Sequence, residues 1–372
     1  MNEVKPNLLF ISSHMPSLRV PQAGHKTAFV NLQAYAKDYS IYLVAFVNEK
    51  EEPYLDPQHL SFCQEVHLFD LNLFGRVVSI LLHPFLPVKI GSRANKKVEG
   101  RVRELISRIS FKMVHTEYTA SAYYLRWVKP GTRTICSEHD VTYQVVERRK
   151  QSMGPLFRLL NAYEYGRQRR WELNFLSRVD EILVQSDKDK QILAHDGVDA
   201  SKIRVIQPYV FMPAEPVRRN GVDPHSILFW GAMNRPENHN SIRWFIREIF
   251  PLVLQKQEKT NLYVVGANPP RAVRALKSKN ITVTGFVESP LPYFERCTLA
   301  IAPLIQGAGV KVKVLECLNA GMPVVATSVG SEGISHPSLR VADQPQKFAD
   351  EIIRIFENAQ PVRKSRSDER NA

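Results

Sequence analysis

The sequence predicts an α/β protein of two doubly wound domains, each a parallel sheet covered by helices. Short β-branched or apolar runs alternate with helical patterns through both halves, the rhythm of parallel strands joined by crossover helices. A chain of 372 residues exceeds what one core usually organises, so two domains can each bury a core of their own, with a ligand cleft between them as the corollary. Between the halves, "YVFMPAEPVRRNGVDPHS" is rich in Pro, Gly and charge and keeps no period, which marks a linker.

In chain order the predicted strands are "NLLFISS", "YSIYLVAF", "KMVHTEY", "RTICSEHD", "EILVQS" and "IRVIQPY", then "SILFWGA", "NLYVVGA", "ITVTGF", "LAIAPL" and "PVVAT". The boundaries follow: a first domain over 1–208, a linker over 209–225, a second domain over 226–345 and a closing helix over 346–360. The polar tail 361–372 reads as disordered. Cys63, Cys136, Cys297 and Cys317 show no paired spacing, which argues against a disulfide framework and against a zinc site, and fits a reducing compartment. The opening "MNEVKPNLLFISSH" reads as a first strand rather than a secretory signal. "VVSILLHPFLPV", the longest apolar stretch, is too short and too broken to cross a bilayer.

The most informative segment is "QGAGVKVKVLECLNAGMPVVAT". After the strand "LAIAPL", the loop holding Gly309 lets backbone amides approach a ligand, and a helix starting near Val310 points its unpaired N–H groups at the same place. Such a tip favours an anion. Lys311 and Lys313 add charge beside it, Val310, Val314, Leu315 and Leu318 form the face towards the sheet, and Gly321 with Pro323 ends the helix. Glu316, about six residues in, stands roughly 9 Å from the tip, the reach from a diphosphate to the ribose of the same nucleotide. A carboxylate there could accept both ribose hydroxyls; the competing reading is a solvated glutamate paired with Lys313.

These segments, with "FWGAMNRPENHNSIRWFIREIFP", "LYVVGANPP" and "VTGFVESPLPYF", resemble retaining nucleotide-sugar glycosyltransferases of the family 4 type. The resemblance covers nearly the whole chain and implies the two-domain GT-B fold, with the nearest likeness to sugar transferases of exopolysaccharide and cell-envelope glycan synthesis in bacteria. It makes Glu316 the second glutamate of the family's Glu-x7-Glu motif, the one that holds the donor ribose. The first would fall at Ala308, so this chain lacks a usual contact to the donor sugar. The family's diphosphate Arg is matched by Arg235, its Lys by a position near Asn238, and Lys311 and Lys313 take over part of that charge. Val287 matches the position whose backbone meets the base.

In the first half, Gly24 matches the family's loop glycine at the donor phosphate, in a loop between the first strand and its helix. "TICSEHDVTYQ" ends a strand with Glu138, His139 and Asp140 at the carboxyl edge, where open parallel sheets bind ligands. The resemblance assigns His139 to the transferring sugar, and Glu117 in "VHTEYTAS" faces the same cleft. No paired carboxylates suggest a fixed nucleophile. The resemblance therefore implies that the donor phosphate takes the acceptor proton while the helix tip, Lys311, Lys313 and Arg235 stabilise the leaving group in place of a metal, whose usual Asp-x-Asp site is missing from the sequence. No cofactor and no metal are expected beyond the donor substrate.

A net charge of +13 asks for anionic partners. Residues 93–112 place Lys96, Lys97, Arg101, Arg103 and Arg108 around Val98, Val102, Leu105 and Ile109 at helical spacing, a basic amphipathic helix following the apolar stretch. This reads either as a surface helix packed on its own domain or as an edge for an anionic membrane. "RRKQSMGPLFRLLNAYEYGRQRRWE" is also basic but carries no nucleic-acid signature, and nucleic acid is not expected as a partner. The sequence thus predicts a cytoplasmic enzyme, peripheral on the inner face of the membrane, that moves a sugar from a nucleotide sugar to a glycan or lipid-linked acceptor. A nucleotide-sugar epimerase and a catalytically silent nucleotide-sugar binding protein are the alternatives.

Overall fold

The computed structural model describes residues 5–20, 22–49, 51–148, 155–206, 208–210, 217–219, 221–307 and 309–359. The chain divides into two compact units, Met1–Tyr209 and Val210–Ala372. The first holds β1 (Asn7–Ser12), β2 (Ser40–Val47), β3 (Glu65–Asp70), β4 (Phe111–Glu117), β5 (Arg133–Glu138), β6 (Glu181–Val184) and β7 (Ile203–Val205) in the order β3-β2-β1-β4-β5-β6-β7. Its strand pairs are parallel throughout. The order reverses between β1 and β4, which places the switch point of the winding at their carboxyl ends.

β1 is apolar on both faces because both are covered. Leu9 and Ile11 pack with Val98, Val102 and Leu105 on one side, while Leu8 and Phe10 pack with Phe29 and Leu32 on the other. The first of these layers decides between the two readings of the basic helix. The helix runs from Lys96 to Arg108, capped by Asn95 at the N–H groups of Lys97 and Val98, and its residues Val98, Val102, Leu105 and Ile106 are buried. Its apolar stripe is spent inside its own unit, and Arg93, expected on the basic surface, is buried too.

The second unit holds β8 (Asp223–Trp230), β9 (Asn261–Val265), β10 (Ile281–Gly285), β11 (Cys297–Ala302), β12 (Val324–Ala326) and β13 (Leu339–Val341), again parallel, in the order β10-β9-β8-β11-β12-β13. Its switch point lies between β8 and β11. Ile227 and Phe229 of β8 face the layer of Phe348, Ile352 and Phe356 from the closing helix Pro345–Ala359, and Leu228 faces the layer of Val314, Cys317 and Leu318.

Several expectations shift here. β3 and β13, absent from the predicted strands, are outer strands of the two sheets. β8 begins at Asp223, inside the predicted linker, and Arg219 of that linker is anchored to the second unit: its guanidinium donates to the carbonyls of Phe294 at 2.5 Å, Cys297 at 2.9 Å and Thr298 at 3.0 Å. The rest of the predicted linker at 211–216 and 220, the position Ala308 and the tail 361–372 lie outside the described residues. Among those residues no helix is long and apolar enough to cross a membrane.

Candidate functional site

In the second unit the site grows from the carboxyl end of β8. Trp230 closes the strand, and its indole N–H, which needs a partner in a half-buried place, donates to Glu316 Oε2 at 2.8 Å. Glu316 belongs to the helix Val312–Asn319, whose residues Val314, Cys317 and Leu318 bury the face towards the sheet. The helix therefore starts at Val312 and not near Val310; Lys311 is its N-cap, and Cys317 takes the buried place expected for Leu315. The solvated pairing of Glu316 with Lys313 is not what forms: the indole, one strand away, fixes the carboxylate.

Lys313 instead reaches the first turn after β8. Its ammonium donates to Asn238 Oδ1 at 2.7 Å and lies 4.6 Å from the centre of the Phe229 ring. Asn238 is buried and its amide donates to the Ala232 carbonyl at 2.7 Å, so the acceptor is held in place. Burial, then the neighbouring Arg235 and Lys311, push the Lys313 ammonium down to about 7, against the pull of Glu237. Lys313 thus meets the asparagine that stands where the resemblance expects a lysine.

Gly231 provides the room. A Cβ there would lie 3.1 Å from Asn238 Nδ2 and 3.4 Å from Lys313 Cδ, and its φ of +149° is one that side chains avoid. Gly266, at the end of β9, is stricter still, since a Cβ would sit 1.8 Å from the Gly231 carbonyl oxygen. The other predicted cations are turned aside. Arg235 pairs with Glu237 at 2.6 Å, and Lys311 donates to the Gly309 carbonyl and lies 3.5 Å from Glu332, the Lys311 and Glu332 side chains both being nearly buried. Gly309 adopts φ +71°, the left-handed turn the loop needs, while Val310 and Val287 are half-buried, Val287 packing into the cluster that holds Trp230 and Val314. Beside Val287, at the carboxyl ends of β9 and β10, a cavity of about 510 Å³ is lined by Asn268, Arg274, Lys277, Thr284 and Phe286 among others.

The predicted residues of the first unit meet at the carboxyl edge of its sheet. Gly24 lies in the first turn of the helix Ala23–Tyr35 and not in a loop before it. A Cβ there would come within 2.1 Å of the Tyr118 hydroxyl and 3.4 Å of His139 Nδ1, so glycine leaves room for the Tyr118 ring where it lies. Tyr118, directly after β4 with φ +69°, stacks flat on the His139 ring at 3.9 Å. His139 Nε2 meets Glu117 Oε1 at 2.6 Å and its Nδ1 accepts from the Gln185 amide at 2.9 Å, so both ring nitrogens are engaged within the unit.

Glu117 itself is fully buried and does not face open space. Burial raises its pKa, but hydrogen bonds from His115 at 2.8 Å and from His139 outweigh that and hold it at about 2. Its charge orients the histidines. The sequence reading missed the next layer: His14, T-stacked on Tyr118, has Nδ1 3.2 Å from Glu51 Oε1, and His25 Nε2 lies 3.5 Å from the same oxygen. Burial holds His14 well below the ordinary histidine value and His25 at about 4. These three residues could offer ligand atoms to a metal, all within 4.8 Å of one another. The Arg93 guanidinium, 3.3 Å from His14 Nε2, works against a cation there.

Comparison with known proteins assigns the class. The model "Glycosyl transferases group 1" matches residues 224–358 and the model "Glycosyltransferase Family 4" matches 58–210, one within each unit. The chain thus carries glycosyltransferase domains of the group 1 and family 4 types in a GT-B fold, and it is a transferase. An uncharacterized 44.6 kDa protein in the cps region of Klebsiella pneumoniae is 24% identical over 336 residues, covering 84% of this chain and 80% of that protein. HepE of Anabaena, solved with UDP and glucose, superposes with a TM-score of 0.59 at 14% identity over 95% of this chain and 90% of its own. TarM of S. aureus superposes with 0.61 at 10% identity over 95% and 93%. These likenesses establish the two-domain fold.

Proposed function

We propose that the chain transfers a sugar from a nucleotide-sugar donor held by the second unit to a glycan or lipid-linked acceptor, with retention of configuration and without a divalent metal. The observation that carries the reading is the pairing of Lys313 with Asn238 at the switch point, one turn of helix from a Glu316 carboxylate oriented by Trp230. A nucleoside diphosphate placed there meets an ammonium at its phosphates and a fixed carboxylate at its ribose. UDP in the HepE structure and the cps-region setting of the Klebsiella relative support donor and pathway class.

In this reading Lys313, with Arg235 released from Glu237, neutralises the charge that develops on the departing diphosphate, the task a metal would otherwise perform. Lys311 and the amides around Gly309 and Val310 add to it, and the main chain near Val287 receives the base. His139 acts from the first unit. With its ring nitrogens taken by Glu117 and Gln185, it serves by fixing the carboxyl edge beside Gly24 rather than by moving a proton.

The test is a contrast between two variants. Glu316→Gln loses charge-assisted hydrogen bonds to the ribose, each worth on the order of 1.5 to 3 kcal/mol, so nucleoside diphosphate affinity should fall by roughly ten-fold or more. His139→Ala should lower turnover and leave that affinity nearly unchanged. Unchanged affinity in Glu316→Gln would remove the ribose assignment, and full turnover in His139→Ala would show that transfer does not depend on the edge this histidine fixes. Turnover abolished by chelator and restored by magnesium or manganese would overturn metal independence.

A further inference from the structure

We propose that the face formed by the helix Leu73–Leu82, the turn after it and the start of the helix Pro155–Leu176 is where the first unit lies on an anionic lipid membrane. The helix Leu73–Leu82 is built inside out. Its buried residue is Ser79, whose hydroxyl lies 2.6 Å from the Gly91 carbonyl and 2.9 Å from that of Ala94. Its apolar side chains point away: Leu73 is 74% exposed, Phe74 79%, Leu81 72%, and Phe85 in the turn 94%.

The second helix joins the same face. Arg167 donates to the Pro84 carbonyl at 2.7 Å and to that of Leu86, and the Glu164 carboxylate accepts the Val88 N–H at 2.5 Å, which pins the turn to it. One to two turns before these contacts, Phe157, Leu159, Leu160 and Tyr163 are all exposed. Adjacent bare Leu and Phe side chains in this number mark an interaction surface.

Charge selects the occupant. Between Asn72 and Ala94 the sequence carries no carboxylate, and the exposed Arg76 lies on the first helix. On the second helix the exposed Arg158 stands between Phe157 and Leu159, and the Glu164 carboxylate is taken up by the Val88 N–H and by Arg167. An apolar face edged with arginine, its Glu164 carboxylate paired with Arg167, suits acyl chains beneath anionic headgroups. The helix Lys96–Arg108 cannot serve in its place, because its apolar residues are buried.

Vesicle sedimentation of the full chain at low salt tests this without any turnover, so it stands or falls apart from the transfer reading. Vesicles of phosphatidylcholine with and without phosphatidylglycerol are compared for the wild type, for L73Q/F74Q/L81Q/F85Q together, and for K96Q/K97Q/R103Q. The wild type should sediment with the anionic vesicles. The first variant should lose partitioning by about ten-fold or more with an unchanged thermal melt, and the second should stay within about three-fold of wild type. The proposal is overturned if the first variant sediments like wild type, if the loss follows the second variant, or if the wild type ignores lipid and is a dimer by light scattering that the first variant dissolves.

Discussion

Lys313→Gln should remove a proton that the protein takes up whenever it binds a nucleoside diphosphate. Burial first, and then Arg235 and Lys311, bring the free ammonium down to about 7, so at pH 8 only about a tenth of the molecules carry the charge. Two phosphates beside it reverse the balance and return the group towards its ordinary 10.5, an uptake of about 0.9 proton per nucleotide. That value is a ceiling, since the Phe229 ring 4.6 Å away already favours the charged form. The terminal phosphate, with a second pKa near 6, is ionised at pH 8 and adds little. Calorimetric titration at pH 8 in two buffers of different ionisation enthalpy reads the proton count directly. Arg235→Gln should reduce the uptake by relieving Lys313, and Lys313→Gln should abolish it. A wild-type enthalpy independent of buffer, or an uptake that persists without Lys313, would refute the placement of this lysine at the phosphates.

Three further outcomes follow from the same geometry. Trp230→Phe removes the donor that orients Glu316 and should weaken nucleoside diphosphate binding by about three- to ten-fold with little change in melting temperature, a result that calorimetry and a thermal melt check together. Gly266→Ala would drive a Cβ into the Gly231 carbonyl and force a positive φ, costing about 3 kcal/mol in denaturant unfolding; a cost below about 1 kcal/mol would show that the strand ends are not locked as described. His25 is buried with its pKa depressed from 6.5 to about 4, so the unfolded chain binds more protons between those values and stability must fall as pH drops from 6.5 to 4. The contribution is on the order of 3 kcal/mol, and His25→Gln should flatten that part of the stability profile; an unchanged acid profile would contradict the burial of a neutral ring.

The architecture was legible because parallel strands buried on both faces leave continuous apolar runs, as in "NLLFISS" and "SILFWGA". β3 and β13 left no such run. As edge strands they bury one face at most: "EVHLFD" alternates half-buried and exposed residues, and "LRV" buries only Leu339. The helix after the glycine loop was readable in type but not in its first residue, because Lys311 caps it from a loop conformation that no residue pattern fixes.

At the sites, residue types were readable and partners were not. Glu316 and Lys313 share a helix, and sequence spacing offers each to the other; Trp230 and Asn238, distant in sequence, claim them instead. A tryptophan ending a strand just before a glycine was the available signal, since an indole N–H at a half-buried edge needs an acceptor. Gly24 was matched by resemblance, and His139 by resemblance together with its place at the carboxyl end of a predicted strand. That they touch the same Tyr118 ring depends on the winding of β1, β4 and β5, which only the fold discloses.

The central claim is that a nucleotide-sugar bond is broken and its sugar moved. A panel of nucleotide sugars labelled in the sugar, incubated with the protein and a glycolipid extract in the presence of chelator, tests it most directly. Release of nucleoside diphosphate with label appearing in the glycan or lipid fraction, lost in Glu316→Gln at limiting donor, is the predicted result. Label that stays on the nucleotide as an epimerised sugar, or that remains unchanged although the donor binds, would contradict it.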